Sequence, residues 1–394
     1  MKILMVTPYV PYPPSSGGQI RTFNLLKHLS KKNKITLVCL HKNNEEKKYI
    51  QNLYQYCKKI YPCKRPEKPW QLKIIIKTIF STLPFLIVRN YSSQAKKTIQ
   101  ELLNKEKFDV IHAETFYVMP HIPKTTIPII LVEQTIEYLV YQHFVNNLFF
   151  LLRPFFYLDI LKLKFWERFY WRKANIVVSV SKTDEKNIKN LEPNLKTVII
   201  PNGAGEEMMV KRLPKKNLKK PTLLFQGNFY WLQNIEAANF LIKKIYPLIK
   251  KTIPNVKLIV SGQKASKIKV DKDIKIINLN LNQTRLVKKI YQKATIFIAP
   301  IFGPGGTRLK ILAAMAAGVP VVSTKTGVEG LAVKDKVNVI LAKTSEDFVK
   351  NIKLLLTNKN LYQKIQKNAY HLIKDYYNWA TIAKKLERIY EQMI

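Results

Sequence analysis

Residues Thr295 to Thr324 read TIFIAPIFGPGGTRLKILAAMAAGVPVVST, and this stretch decides the fold of the 394-residue chain. Thr295–Pro300 is an apolar run of strand length, Gly305-Gly306 is a turn, and Arg308 and Lys310 open a short helix. Gly318-Val319-Pro320 then leads into a strand at Val321–Ser323. The order is strand, glycine-rich loop, helix, strand. A helix N-terminus offers unpaired N–H groups and the positive end of its dipole, and a loop without side chains lets an anion come close. With Arg308 and Lys310 beside it, the loop predicts a diphosphate site.

Outward from this stretch, short apolar runs alternate with helical patterns, which predicts α/β architecture with parallel sheets. The first half predicts strands at Ile3–Thr7, Ile35–Leu40, Val110–Ala113, Ile129–Val132, Ile176–Val180 and Thr197–Ile200, with a crossover helix at Ile20–Lys31. The basic, proline-bounded Lys211–Pro221 reads as a linker. A second series follows: strands at Thr222–Gln226, Lys257–Ser261, Ile274–Asn278, Thr295–Ala299 and Val337–Leu341, and helices at Ile235–Lys251 and Gln283–Lys293. The chain closes on helices at Glu346–Thr357, Asn360–Asp375 and Trp379–Met393. Two doubly wound domains facing a cleft are expected, with ligands at the carboxyl ends of the strands.

The formal charge is +41, and arginine supplies only ten of the 67 basic residues. Arginine is the better reader of bases and phosphates, so a lysine-dominated excess argues against a nucleic-acid partner. Two readings remain: a compositional bias shared with Ile and Asn, and attraction to an anionic membrane surface. Cys39, Cys57 and Cys63 have neither metal-site nor disulfide spacing, which fits a reducing compartment. The N-terminus reaches Pro8 too early for a signal peptide and reads as a buried strand. The apolar segments Trp70–Val88 and Val145–Phe165 are interrupted by charges and prolines, too often for a membrane span. They suit helices that pack on the protein's own core or insert shallowly into a bilayer surface.

Candidate chemistry lies at the strand ends. Gly17 and Gly18 follow the first strand, as a loop passing close to a ligand or as a plain turn. His112 ends its strand at the rim, placed either to meet a sugar hydroxyl and steady developing charge or to be satisfied locally. Glu133 and Glu137 follow the next strand and are candidates for polyol hydroxyls, or simply surface carboxylates. No Ser-His-Asp triad, zinc pattern or Walker A loop is recognisable.

Phe225–Asn234, Ala299-Pro300, Gly305–Leu312, Ala314–Gly318 and Gly327–Leu331, taken in order, resemble the donor half of glycosyltransferase family 4. Gly17-Gly18, Asp109–Glu114, Ser179–Ser181 and Pro201–Gly203 are similar to its acceptor half, and Tyr377–Tyr390 resembles its closing helix. The resemblance implies a GT-B fold: an acceptor domain over residues 1–205, a nucleotide-sugar domain over 206–375, and a helix over 376–394 crossing back to the first domain. It implies transfer of a sugar from a nucleotide-sugar with retention of configuration, without metal or cofactor. The protein must then neutralise the leaving group itself, by Arg308, Lys310 and the N–H groups of Thr307 to Leu309. His112 joins these two cations as catalytic. Gly227, Gly305, Gly306, Thr307, Leu309 and Glu329 are the donor-binding set, and Gly17, Gly18, Glu133 and Glu137 the acceptor-binding set.

Many members of that family carry two glutamates separated by seven residues, where this chain has Gly305 and Ala313. A subgroup reading Gly-Gly-Thr-Arg lacks the first acid. Loss of the second, a ribose contact, costs about 1.5–3 kcal/mol, or roughly ten- to a hundredfold in donor affinity. Glu329 is a candidate replacement, and Trp231 a candidate stacking surface or a lid residue. The basic pair of other members near the first strand of the second domain is not evident. The expected activity is a cytoplasmic glycosyltransferase acting on a lipid-linked or polysaccharide acceptor, peripheral on the inner membrane face. The rivals are a weak or inactive nucleotide-sugar-binding protein and a nucleotide-sugar epimerase.

Overall fold

The computed structural model describes residues 1–270, 273–280, 283–303 and 306–394. Runs such as Ile3–Val6 and Ile296–Ala299 lack polar alternation because a parallel strand is covered on both faces, and every residue in these two is fully buried. The chain divides into two compact units, Met1–Pro201 with Ala383–Ile394, and Asn202–Ile382.

The first unit holds β1 (Lys2–Thr7), β2 (Lys34–His41), β3 (Lys59–Lys64), β4 (Val110–Glu114), β5 (Ile129–Glu133), β6 (Ile176–Ser179) and β7 (Thr197–Ile199). They form one sheet in the order β3-β2-β1-β4-β5-β6-β7 with parallel pairing, so that Met5 faces Leu37 on one side and His112 on the other. The second unit holds β8 (Thr222–Gln226), β9 (Lys257–Gly262), β10 (Ile274–Asn278), β11 (Ile296–Ala299), β12 (Val321–Ser323) and β13 (Ile340–Leu341), in the order β10-β9-β8-β11-β12-β13. Both sheets are doubly wound and Rossmann-like, as expected. The order reverses once in each, between β1 and β4 and between β8 and β11, and ligands enter α/β sheets at such reversals.

Four local departures from the sequence reading have physical causes. The strand β3 was not expected, because Pro62 interrupts its pattern; at the sheet edge a missing N–H donor is tolerated. The expected helix Ile235–Lys251 is Leu232–Phe240, a π turn at Leu241–Ile245 and Tyr246–Thr252, since Pro247 cannot donate to the preceding turn. The expected strand Val337–Leu341 shortens to Ile340–Leu341 after an isolated bridge between Asp335 and Val339. Finally, Lys211–Pro221 does not separate the units: it lies inside the second, where Gln366 Nε2 donates to Pro214 O (3.0 Å) and Gly318 O (2.7 Å).

The last helix, Trp379–Glu391, contributes to both units. Trp379 is fully buried against Gly203 in the second, while Tyr390 Oη lies 2.6 Å from His112 Nδ1 in the first. In the segment Trp70–Val88 the helix Leu72–Phe80 buries Ile74 and exposes Leu72, Ile76, Ile79 and Phe80, the last to 85%. Leu158, Leu161 and Phe165 of the helix Arg153–Lys173 are exposed as well. Among the described residues no helix is long and apolar enough to cross a membrane.

Gly262 has φ +145°, and a Cβ there would collide with the carbonyl oxygen of Gly227. Gly262→Ala is therefore expected to destabilise the protein by on the order of 3 kcal/mol in thermal denaturation. Gly205→Ala meets only the mobile end of Glu207 and should stay within about 1 kcal/mol of the parent.

Candidate active site

The glycine-rich loop and the helix Leu309–Ala316 follow β11, beside the carboxyl end of β8, at the reversal of the second sheet. Arg308 is the N-cap of that helix rather than part of its first turn, and its Nη2 donates to Gly303 O at 2.7 Å, back across the loop. Lys310 lies one residue inside the helix. Its ammonium donates to Asn234 Oδ1 and stands 5.2 Å from the Phe225 ring centroid. Burial of the ammonium, then the charge of Arg308, push its pKa down to about 7. Asn234 Nδ2 donates to Asn228 O at 2.7 Å, which fixes the amide that receives Lys310. Gly227 has its reason here: a Cβ on it would stand 3.0 Å from Asn234 Cγ, so it makes room for that side chain as well as baring its backbone.

Other expected donor-side residues fall out differently. Gly305 lies outside the described residues, and Gly306 is half-buried. Thr307 Oγ1 is buried without a hydrogen-bond partner among the described residues. Leu309 N–H donates to Thr307 O at 3.0 Å, so that amide, expected to face an anion, is taken. Ala313 packs on the core of this unit. Glu329 is exposed just after the turn Thr326–Val328, and Trp231, the N-cap of Leu232–Phe240, is 57% exposed.

At the reversal of the first sheet several buried polar groups meet. Glu114, at the end of β4 and fully buried, accepts from Gln134 Nε2 (2.5 Å) and pairs with His112 Nε2 (3.0 Å), with Arg21 Nε 4.0 Å away. Burial acts to raise the Glu114 carboxyl, but His112, Arg21 and Gln134 outweigh it and hold it below the usual value. Arg21 Nη1 donates to Ile200 O (3.1 Å) and Pro201 O (3.2 Å). Gln134 Nε2 also donates to Tyr9 Oη (3.0 Å).

This network corrects several expectations. His112 is not at the rim: it is the middle residue of β4, fully buried, with Tyr390 and Glu114 on its two ring nitrogens. Gly17 and Gly18 form the first turn of the helix Gly17–Leu29, and a Cβ on Gly18 would stand 2.8 Å from Tyr9 Cζ. The missing side chain thus admits a tyrosine ring. Glu133 is no surface carboxylate: it is fully buried, its Oε1 accepts from Trp171 Nε1 (2.9 Å), and burial followed by the charge of Glu167 raises it well above the usual range. Glu137 opens the helix Glu137–Asn146, and burial pushes its carboxyl up to about 7 against the opposing charge of Arg89.

Sequence reasoning missed Asn234, Arg21, Glu114, Gln134 and Glu167. Arg21 gave a signal, a cation in the apolar stripe of the first helix. Glu167 gave none, being one acid in a long mixed helix; it is fully buried and accepts the N–H groups of Glu137 (2.8 Å) and Tyr138 (3.1 Å). Burial, then the charge of Glu137, raise it to about 8 although those two N–H groups oppose the shift.

Folded pKa values of about 7 for Glu137 and about 8 for Glu167 lie above the ordinary glutamate value of 4.5. The stability they confer is complete below that unfolded value and is lost as pH rises through the folded ones. The Tm is therefore expected to fall from pH 5 to pH 8, and Glu137→Gln should shrink that fall; an unchanged slope in scanning calorimetry would contradict the assignment.

Residues 220–358 match the family model described as glycosyl transferases group 1, and residues 15–206 match that of glycosyltransferase family 4. An uncharacterized 44.6 kDa protein in the cps region of Klebsiella pneumoniae is 24% identical over 391 residues, covering 96% of each chain. Among solved structures, sucrose-phosphate synthase from Thermosynechococcus elongatus superposes with a TM-score of 0.72 at 12% identity, covering 100% of this chain and 99% of its own. Anabaena HepE in complex with UDP superposes with a TM-score of 0.65 at 13% identity and full coverage of both chains. The likeness to these structures shows the GT-B fold, and with a transferase model matching each half, the chain is a glycosyltransferase.

Proposed function

We propose that the chain transfers a sugar, with retention of configuration and without a bound metal, from a nucleoside-diphosphate sugar to a lipid-linked or polysaccharide acceptor. The second unit binds the donor and the first the acceptor. One observation carries this reading: a buried lysine with an arginine beside it, at a helix N-terminus on the reversal of a parallel sheet, held among the described residues by a neutral amide. As the bond to the sugar breaks, charge grows on the diphosphate. Lys310 and Arg308 neutralise it, the Thr307 hydroxyl donates to a phosphate oxygen, and the helix dipole adds to the field. Asn234 holds the ammonium in position and carries no charge to compete with the ligand. The UDP bound to Anabaena HepE supports a uridine donor by analogy of fold.

The reading places the reaction at the inner membrane face, supported by the exposed Leu72, Ile76, Ile79 and Phe80 alternating with Lys73 and Lys77 on one helix. An anionic bilayer complements both halves of that face. Ala313 supports a second reading, a weak or inactive nucleotide-sugar-binding protein, because the position that would carry a ribose acid is occupied by a core-packed methyl group.

Mass spectrometry against a panel of nucleotide sugars, scoring released nucleoside diphosphate, separates the two readings, and Arg308→Ala should abolish release. In calorimetry Lys310→Ala should weaken UDP binding about ten- to a hundredfold. Because a diphosphate raises the lysine pKa from about 7, binding should take up a proton above pH 7 and weaken as pH rises, a dependence absent from the variant. Vesicles with anionic lipid should carry the protein upward in flotation at moderate salt; equal recovery with neutral vesicles would remove the membrane assignment.

A further inference from the structure

The first unit contains two guanidiniums outside the network around Glu114. Arg65 directly follows β3, its N–H donates to His41 O at 3.0 Å, and the residue is only 9% exposed. Arg89 belongs to the helix Phe85–Asn90, its guanidinium 5.7 Å from the Phe85 ring centroid. The Nε atoms of both are buried without a partner, and among the described residues neither guanidinium makes a hydrogen bond or ion pair. Ser92 Oγ, two residues past the helix Phe85–Asn90, donates to Lys64 O at 2.6 Å and so holds the segments of the two arginines together; burial, then the charge of Arg89, lower the Arg65 pKa. An unpaired buried charge costs several kcal/mol, and a like charge nearby adds to it.

The neighbouring acids do not close the pair. Glu46 acts on Arg65 only from a distance, being held by the Lys42 N–H (2.8 Å) and the Lys42 ammonium (3.6 Å). Glu137, with a pKa raised to about 7, is partly protonated near neutrality. The Tyr117 phenol lies in the field of both arginines and of Glu137. These residues converge from the carboxyl ends of three parallel strands: Arg65 follows β3, Tyr117 follows β4, and Glu137 follows β5. That edge is where such sheets take ligands.

We propose that Arg65 and Arg89 form a phosphate-binding site for the headgroup of a lipid-linked acceptor. A dianion answers two adjacent cations, and planar guanidiniums bind phosphate through paired N–H donors. The lipid is assigned from the same segment of chain. The helix Leu72–Phe80, four residues before Phe85–Asn90, exposes Ile76, Ile79 and Phe80 for an apolar tail. The proposal rests on the transferase reading only in calling the ligand an acceptor.

The test uses the full chain saturated with UDP, so that a diphosphate site in the second unit is occupied, with decyl phosphate below its micelle concentration as probe. Wild-type protein should bind it, and Arg65→Gln and Arg89→Gln should each weaken binding about tenfold or more without changing UDP affinity. Equal binding by wild type and both variants overturns the site; equal affinity for inorganic phosphate overturns the lipid assignment. If Arg65→Gln does not fold, the half-buried Arg89→Gln carries the same comparison. Should UDP not bind while decyl phosphate does, the transferase reading fails and this site stands; the opposite result fails the site alone.

Discussion

A buried charge needs a partner, and what each strand-end charge in this protein has been given decides its role. At the first reversal the Glu114 carboxylate has Arg21, His112 and Gln134 around it, two of them cationic or able to become so. At the second, Lys310 has a neutral amide and an aromatic face. An amide orients an ammonium without cancelling its charge, so the electrostatic deficit stays available to an anion. The difference in partners distinguishes the two places more sharply than residue type does, since both carry cations and glycines beside a strand end.

Packing within the chain also explains the glycines at these ends. Gly18 gives its missing side chain to the Tyr9 ring, Gly227 makes room for Asn234, and Gly262 brings two backbones together. Each serves a protein–protein contact inside one unit. A glycine-rich loop read from sequence suggests a ligand in the space, whereas in these three cases the chain itself fills it. The exception is the loop around Gly306 and Thr307, where a buried hydroxyl has no partner among the described residues.

The α/β class, the strands β1, β2 and β4 to β12, and the place of Arg308 and Lys310 at a helix start were legible because they follow from local patterns: apolar runs, punctuation by Gly and Pro, and cations beside a glycine-rich turn. Strand β3 was not, because its tolerance of Pro62 depends on being at an edge, a property of the whole sheet. His112 was misplaced for the same kind of reason. Its ring nitrogens are taken by Glu114, two residues away, and by Tyr390, at the far end of the chain, and only the latter makes a rim position impossible to infer. Long-range partners fixed Arg21 and Glu133 as well, and a single sequence carries no signal for a partner 38 or 180 residues away.

The helix Trp379–Glu391 supplies the first unit with Tyr390 for His112 and Glu387 Oε1 for Asn33 Nδ2 at 2.8 Å. During synthesis those groups leave the ribosome only after the second unit. The first unit therefore waits, with a buried histidine and asparagine short of their final partners, while the whole of the second unit is translated. Domains made first usually finish first. Here the order of completion is inverted, which ties quality control of the amino-terminal half to successful synthesis of the carboxyl-terminal one.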